Sequence, residues 1–190
     1  MQHQERDLNS ANISRITQDF LGTLSEIGES IHGLRGIALL TALKRDKLAH
    51  GPYKNVTLFE AANRIMSDLV ILRGVAALLQ ANAFAITQYR VEFGNEDNNG
   101  FDIRGTAPDG KLLIGEAFNV APSFFQVKKR KALTKMRQKG GDATFRLLLV
   151  NDDAVRIQYR PKPAAGVHYA FVNVESGELQ ITPGLGLAPG

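Results

Sequence analysis

The chain has 190 residues, of which 44% are hydrophobic and 22% charged, a composition typical of a soluble globular protein with one core. It contains no cysteine, which excludes disulfide frameworks and thiolate metal sites. Its four histidines lack the spacing of zinc ligands, so a metal site would use mainly oxygen ligands, which favours Mg²⁺ or Mn²⁺. The net charge of +4 is too small to indicate nucleic-acid binding by itself.

The sequence shows no pattern for export or membrane insertion. The polar start, Met1 to Asp7, is not followed by the apolar region of a signal peptide. The most apolar stretch, Ile65 to Leu79, contains two charged residues and is too short to span a bilayer. We therefore expect a cytoplasmic protein without a membrane partner.

The first part of the chain is predicted to be helical. Apolar residues at alternating spacings of three and four predict a helix from Ile13 to Ile31, and a second helix is predicted from Leu34 to Leu48. A third helix begins after Thr57, which forms a capping-box pattern with Glu60. We expect residues 1–52 to form a helical region packed on the core.

The apolar pattern changes its period in the second half. Alternation between residues 85 and 93 predicts a strand, and two further strands carry Asp102 and Glu116. A basic helix is predicted to begin at Ser123 with another capping-box pattern and to end near Gly140. Three more strands are predicted, over residues 145–150, 155–159 and 168–174.

Asp102 and Glu116 interrupt apolar strand sequence, where an unpaired charge is costly. Hairpin register decides whether they share a face of the sheet. A two-residue loop of Asp109-Gly110 would place Asp102 opposite Ala117, whereas a three-residue loop that includes Pro108 places it opposite Glu116. Pro, Asp and Gly suit the successive positions of a three-residue loop, so the second register is favoured.

Directly opposed side chains have Cβ atoms about 4.5–5.5 Å apart, so both carboxylates could give an oxygen to one Mg²⁺. Without an ion they would repel each other. A simpler interpretation is a hairpin with two outward-facing acids, in which Asp102 pairs with Arg104. The capping box explains Glu60, and Glu92 is read as a solvated acid, although either could help to hold a second ion.

The order helix, strand, strand with Asp, strand with Glu, basic helix and apolar strand resembles the PD-(D/E)xK nuclease superfamily, which includes many type II restriction enzymes. Phe101-Asp102 and Gly115-Glu116-Ala117-Phe118 carry its short motif. The resemblance, over roughly residues 57–151, implies an α/β (α+β) fold with a restriction-endonuclease-like αβββαβ core and a central mixed sheet. The core would cover residues 53–182, with residues 1–52 as an N-terminal helical extension and 183–190 as a flexible tail.

By this resemblance Asp102 and Glu116 would hold Mg²⁺ or Mn²⁺, and Ala117 would contribute its carbonyl. Glu60 matches the position of a supporting acid in many members. Phe118 stands where the motif has its lysine. That lysine normally orients or activates the attacking water and offsets charge that builds on the phosphate.

The basic helix offers a replacement cation. Helical geometry places Lys129 within its apolar face and Lys128 at the edge, so either is expected to act as the catalytic lysine, with snorkelling as the alternative for Lys129. Contacts to nucleic acid are expected from five residues: Asn119, Gln126, Lys128, Lys131 and Lys135.

These features predict a Mg²⁺-dependent endonuclease, a hydrolase of phosphodiester bonds, in which the ion polarises a phosphate oxygen and activates a bound water. Only the resemblance favours DNA over RNA. Nucleases that cut both strands often act as dimers, which leaves a homodimer open. Two alternatives stay open: a catalytically inactive nucleic-acid-binding protein of the same fold, indicated by Phe118, and a protein-interaction module that uses the N-terminal helices.

Overall fold

A computed structural model describes residues 5–94, 96, 98 and 100–184, which form an α+β fold. Its four α-helices are α1 (Ile13–Ile31), α2 (Gly36–Arg45), α3 (Leu58–Gln80) and α4 (Pro122–Lys139). Its seven strands are β1 (Asp7–Asn9), β2 (Gln88–Val91), β3 (Ile103–Thr106), β4 (Leu112–Phe118), β5 (Phe145–Asn151), β6 (Val167–Val172) and β7 (Leu179–Thr182).

The seven strands form one mixed sheet in which their spatial order is their order in the chain. Strands β1 to β4 are antiparallel neighbours, β4, β5 and β6 are parallel, and β7 returns antiparallel to β6. Helix α4 is the crossover between the parallel strands β4 and β5. Helices α1 and α3 cover one face of the sheet, called the α3 face, and α4 packs on the other, called the α4 face.

Each face of the sheet has its own apolar core. On the α3 face, Leu72 and Val75 of α3 belong to the same buried cluster as Leu149 of β5. Gly74 lets the helix approach this strand closely, because a Cβ there would overlap the Leu149 side chain. On the α4 face, Phe125 and other α4 residues pack with side chains of β4, β5 and β6. Alternation along the central strands divides their side chains between the two cores.

Three of the four helices closely match their predicted bounds. Helix α1 spans the predicted residues, and the Glu60 N–H donates to Thr57 Oγ1 at 3.2 Å at the start of α3, which confirms that cap. Helix α4 begins one residue early, with Pro122 in its first turn and no side-chain cap, so the capping box predicted at Ser123 is wrong. Helix α2 is shorter than predicted, and none of its residues is buried.

Strand prediction was less accurate at the edges of the sheet. Strand β1 belongs to the region predicted to be helical, and β7 was not predicted. The strand predicted at 155–159 is wrong, because the chain forms a short 3₁₀ helix (Asp152–Ala154) and then turns away, which leaves Ile157 91% exposed. Residues 185–190 of the predicted tail lie outside the described residues. None of the helices in the described ranges has the length and apolar content needed to cross a membrane.

Candidate active site

The loop between β3 and β4 has three residues, as the sequence predicts. The Ala107 N–H donates to the Lys111 carbonyl at 2.9 Å, and the Gly110 N–H donates to the Ala107 carbonyl at 2.9 Å. Gly110 has a φ of 83°, in the left-handed region that favours glycine at this position. The two hydrogen bonds close the hairpin around residues 108–110.

This loop sets the register of the hairpin. Ile103 lies opposite Gly115, and Arg104 lies opposite Ile114. The same register, extended by one residue beyond the start of β3, places Asp102 opposite Glu116. The predicted register is therefore confirmed, and the two carboxylates occupy neighbouring positions on the α4 face.

The Asp102 side chain replaces a backbone acceptor at the end of the hairpin. Its Oδ2 accepts a hydrogen bond from the Ala117 N–H at 2.8 Å. Because the N–H and C=O of one strand residue point towards the same neighbouring strand, the Ala117 carbonyl also lies on the Asp102 side of β4. Two carboxylates and one backbone carbonyl thus lie at the same end of the β3–β4 pair.

A third carboxylate, that of Glu92, lies beside these two and makes a row of three across the sheet, called the acidic row. The Glu92 N–H donates to the Asp102 carbonyl at 2.9 Å, so the two residues are opposed on β2 and β3. Val91 and Phe93 are part of the core on the α3 face, and alternation therefore places Glu92 on the α4 face beside Asp102. Glu92 is only 4% exposed, so the expectation that it is solvated is wrong.

Burial and the neighbouring positive charges act in opposite directions on the pKa of Asp102. Burial raises the pKa of its carboxyl, and the negative charge of Glu92 adds to this effect. The hydrogen bond from Ala117 and the positive charges of Lys135 and Lys128 lower the same pKa. The pKa of Asp102 is therefore set by opposing effects, and a charged group bound beside it would shift that pKa further.

Lys135 is the cation closest to the acidic row among the contacts described. Its Nζ lies 2.8 Å from Glu116 Oε1, and the side chains of Lys135 and Glu116 are 32% and 12% exposed. Lys128 is exposed but close enough to lower the pKa of Asp102. The two lysines are seven residues apart, which places them on one side of α4. This spacing was visible in the sequence and points to Lys135 as the partner of Lys128.

Lys129, predicted to be the replacement lysine, lies elsewhere. Its Nζ donates to the Tyr159 hydroxyl at 3.0 Å and lies 5.6 Å from the ring centroids of Phe125 and Tyr159. Lys129 does lie within the apolar face of α4, as helical geometry predicts. That part of the face meets the segment after β5 rather than the acidic row, so the structure does not bring Lys129 to Asp102 and Glu116.

The other predicted site residues lie in different parts of the fold. Glu60 lies in the exposed first turn of α3, paired with Arg64, and α3 packs on the opposite face of the sheet, so Glu60 does not join the acidic row. Phe118 is buried in the core on the α4 face. The Asn119 N–H donates to Ser67 Oγ at 3.4 Å at the end of β4, whereas Gln126 and Lys131 are exposed on α4.

The donors present suit a hard divalent cation. Among residues 5–94, 96, 98 and 100–184, no group of three or more His, Cys, Asp and Glu side chains is arranged to hold a metal. Mg²⁺ is commonly bound by one or two carboxylates, with water and substrate phosphates completing its shell. Asp102, Glu116 and the Ala117 carbonyl are oxygen donors that could serve as ligands of this kind, because they lie at the same end of the β3–β4 pair.

In comparisons of the chain with known proteins, no family model, no curated protein and no solved structure matches it. What the site does is therefore inferred from its own residues.

Proposed function

We propose that this chain is a metal-dependent nuclease, an endonuclease that hydrolyses phosphodiester bonds of DNA. One observation carries the proposal: the three-residue hairpin loop sets Asp102 opposite Glu116, with the Lys135 ammonium 2.8 Å from the Glu116 carboxylate. The order α3, β2, β3, β4, α4, β5 supports a restriction-endonuclease-like core, because it matches the αβββαβ order of the superfamily that the sequence resembles.

Asp102, Glu116 and the Ala117 carbonyl would hold Mg²⁺ or Mn²⁺. When bound, the ion would polarise a phosphate oxygen and lower the pKa of a water that attacks the phosphorus. Lys135 stabilises negative charge on the scissile phosphate, which is the role that Phe118 cannot fill. Lys128 and Lys131 bind neighbouring phosphates, so affinity should fall as salt concentration rises.

The test is a cleavage assay on supercoiled and linear DNA with Mg²⁺ and with Mn²⁺. We expect the unaltered protein to cut, and Glu116→Ala to lose the activity. Glu60→Ala is the matched control, since it removes an exposed carboxylate on the opposite face of the sheet and should leave cleavage unchanged. DNA binding without cleavage by the unaltered protein under all conditions would refute the nuclease proposal.

A nucleic-acid-binding protein without catalytic activity is the second candidate. The observation in its favour is that Lys135 already neutralises Glu116, in a chain whose motif lysine is replaced by the buried Phe118. A structural ion pair of this kind needs no metal. The same assay separates the two candidates, because this one predicts salt-sensitive binding that Glu116→Ala leaves intact and no cleavage with either ion.

A protein-interaction module is supported by a different surface. Helix α2 has no buried residue, and its Ile37 and Leu40 are 83% and 62% exposed. Exposed apolar side chains on one helix suit a protein partner or a second copy of the chain. Weak retention on heparin, together with loss of self-association in an Ile37→Ser, Leu40→Ser variant, would favour this function over nucleic-acid binding.

A further inference from the structure

One side of α4 combines an aromatic ring with a row of lysines. Relative to Lys135, helical geometry places Phe124, Lys128 and Lys131 within about 40° around the helix axis. Phe124 is 64% exposed, and Lys128 and Lys131 are exposed as well. Lys128, Lys131 and Lys135 are called the lysine stripe. The stripe runs from the acidic row at Lys135 to the exposed ring of Phe124.

The sheet beside the lysine stripe is open to solvent. Helix α4 packs on β4 and β5, and the outward-facing side chains of β2 and β3 on the same face are exposed, namely Gln88, Arg90, Arg104 and Thr106. Together with the lysine stripe these residues form one exposed surface on the α4 face, called the stripe surface, and Lys135 connects it to Glu116. Basic residues occur on both the helix and the strands of this surface, which complements a polyanion.

Phe124 indicates which form of polyanion suits the stripe surface. Its ring is exposed and lies one turn from Lys128 on the same side of α4, an arrangement in which the ring can stack against unpaired bases while the lysines contact phosphates. In a duplex the base faces are stacked inside, so an exposed ring meets only sugar and phosphate. The ring lies about 16 Å along the helix from Lys135, a distance that spans a few nucleotides.

We propose that the stripe surface binds single-stranded DNA, with bases stacked on Phe124 and phosphates held by the lysine stripe. The strand then passes Asp102 and Glu116, which makes a single-stranded segment the substrate. The choice of DNA and the cleavage rest on the proposed function, whereas the preference for an unpaired strand rests on the exposed ring and can be measured without metal.

The first experiment uses fluorescence, because the chain contains no tryptophan. Phe124→Trp introduces one reporter at the end of the lysine stripe, and the protein is titrated in EDTA with oligo(dT) and with the oligo(dA)·oligo(dT) duplex. We expect quenching by the single strand and little change with the duplex. Phe59→Trp is the matched control, since Phe59 is 54% exposed on α3, on the other face of the sheet.

The second experiment measures affinity by fluorescence anisotropy of labelled DNA. Phe124→Ala should weaken binding of oligo(dT) by about tenfold and leave the duplex affinity nearly unchanged. Phe59→Ala should change neither. Lys131→Ala should reduce the slope of log affinity against log salt by about one, whereas Arg137→Ala, about 160° away from Lys135 around α4, should not.

Failure of this inference can be distinguished from failure of the proposed function. Equal affinity for single strand and duplex, or an unchanged affinity in Phe124→Ala, overturns the inference even if the protein cuts DNA. The predicted single-strand binding without any cleavage supports the inference and refutes the nuclease. Tighter binding of oligo(U) than of oligo(dT) overturns the assignment to DNA, and absence of binding to every strand overturns both proposals.

Discussion

A buried aspartate and a half-buried aspartate, on opposite faces of the sheet, have different surroundings. Asp68, on α3, is 1% exposed and accepts hydrogen bonds from the Tyr53 hydroxyl and from the Gly94 N–H, the latter at 2.9 Å. Asp102, on the α4 face, accepts one hydrogen bond from Ala117 and is influenced by two lysines of α4. Charged groups act on both carboxyls, namely Arg6 and Glu96 on Asp68, and Lys135, Glu92 and Lys128 on Asp102. The two differ in that Asp68 has a second neutral donor, the Tyr53 hydroxyl.

This difference separates a structural acid from a candidate catalytic one. Burial raises the pKa of Asp68 to about 7, and burial together with the neighbouring Asp68 raises the pKa of Tyr53. The pair ties the segment before α3, α3 itself and the end of β2 together without an ion. Burial alone therefore does not identify an active site. What distinguishes Asp102 is a second carboxylate directly opposite, a lysine in contact with that carboxylate, and a second, exposed lysine on the same side of α4.

The largest expected effect is on cleavage, and it compares the two aspartates directly. Asp102→Asn should lower the cleavage rate by about a thousandfold, because it removes a negative charge from the proposed cation site. Asp68→Asn should leave the rate within about threefold, since an amide can still accept from Gly94. The measurement is single-turnover cleavage of labelled DNA by both variants. Equal losses of activity would mean that the two acids do not have separate roles.

The second prediction concerns how stability depends on pH. Folded Asp68 keeps its proton up to a pH of about 7, whereas its unfolded reference pKa is 3.8. Between these values the folded state binds more protons, so the free energy of unfolding should fall as pH rises, by up to about 4 kcal/mol from this group. Asp68→Asn lacks this titration.

Urea unfolding of both proteins at pH 4 to 8 measures the effect. As pH increases, the unfolding free energy of the original chain should fall relative to that of Asp68→Asn, because the original chain loses stability when Asp68 ionises. Arg6 and Glu96 also act on this carboxyl and are the same in both proteins, so their contribution cancels. If the unfolding free energies of the two proteins changed in parallel with pH, Asp68 would not be the group responsible for the pH dependence.

The third prediction tests the lysine assigned to the site. Lys135→Met should lower the single-turnover rate by about a hundredfold, because it removes a positive charge from the position proposed for the scissile phosphate. Lys135→Arg should recover part of the rate. Lys129→Met is the matched control, since Lys129 contacts Tyr159 and should change the rate little. A larger loss with Lys129→Met than with Lys135→Met would restore the assignment made from the sequence.

The sequence was sufficient where short-range chemistry decides the structure. Pro108, Asp109 and Gly110 determine the loop, and the loop determines that Asp102 faces Glu116. The bounds of α1 and α3 follow from long apolar periodicity. The contact between Lys135 and Glu116 did not follow from the sequence, which pointed to Lys129 or Lys128 as the catalytic lysine, because only tertiary packing decides which side of α4 meets the acidic row. The short edge strands β1 and β7 were not predicted either, since three or four residues show too little alternation.

The smallest expected effect sharpens the structural side of the comparison. Tyr53→Phe removes the hydroxyl that donates to Asp68 and should lower stability by about 1 kcal/mol at pH 5, where Asp68 is protonated. At pH 8 the loss should rise to about 2 kcal/mol, because hydrogen bonds to an ionised acceptor are stronger. The cleavage rate should stay unchanged. In an Asp68→Asn background the pH dependence of the Tyr53→Phe effect should disappear, whereas its persistence would place the responsible titration on a group other than Asp68.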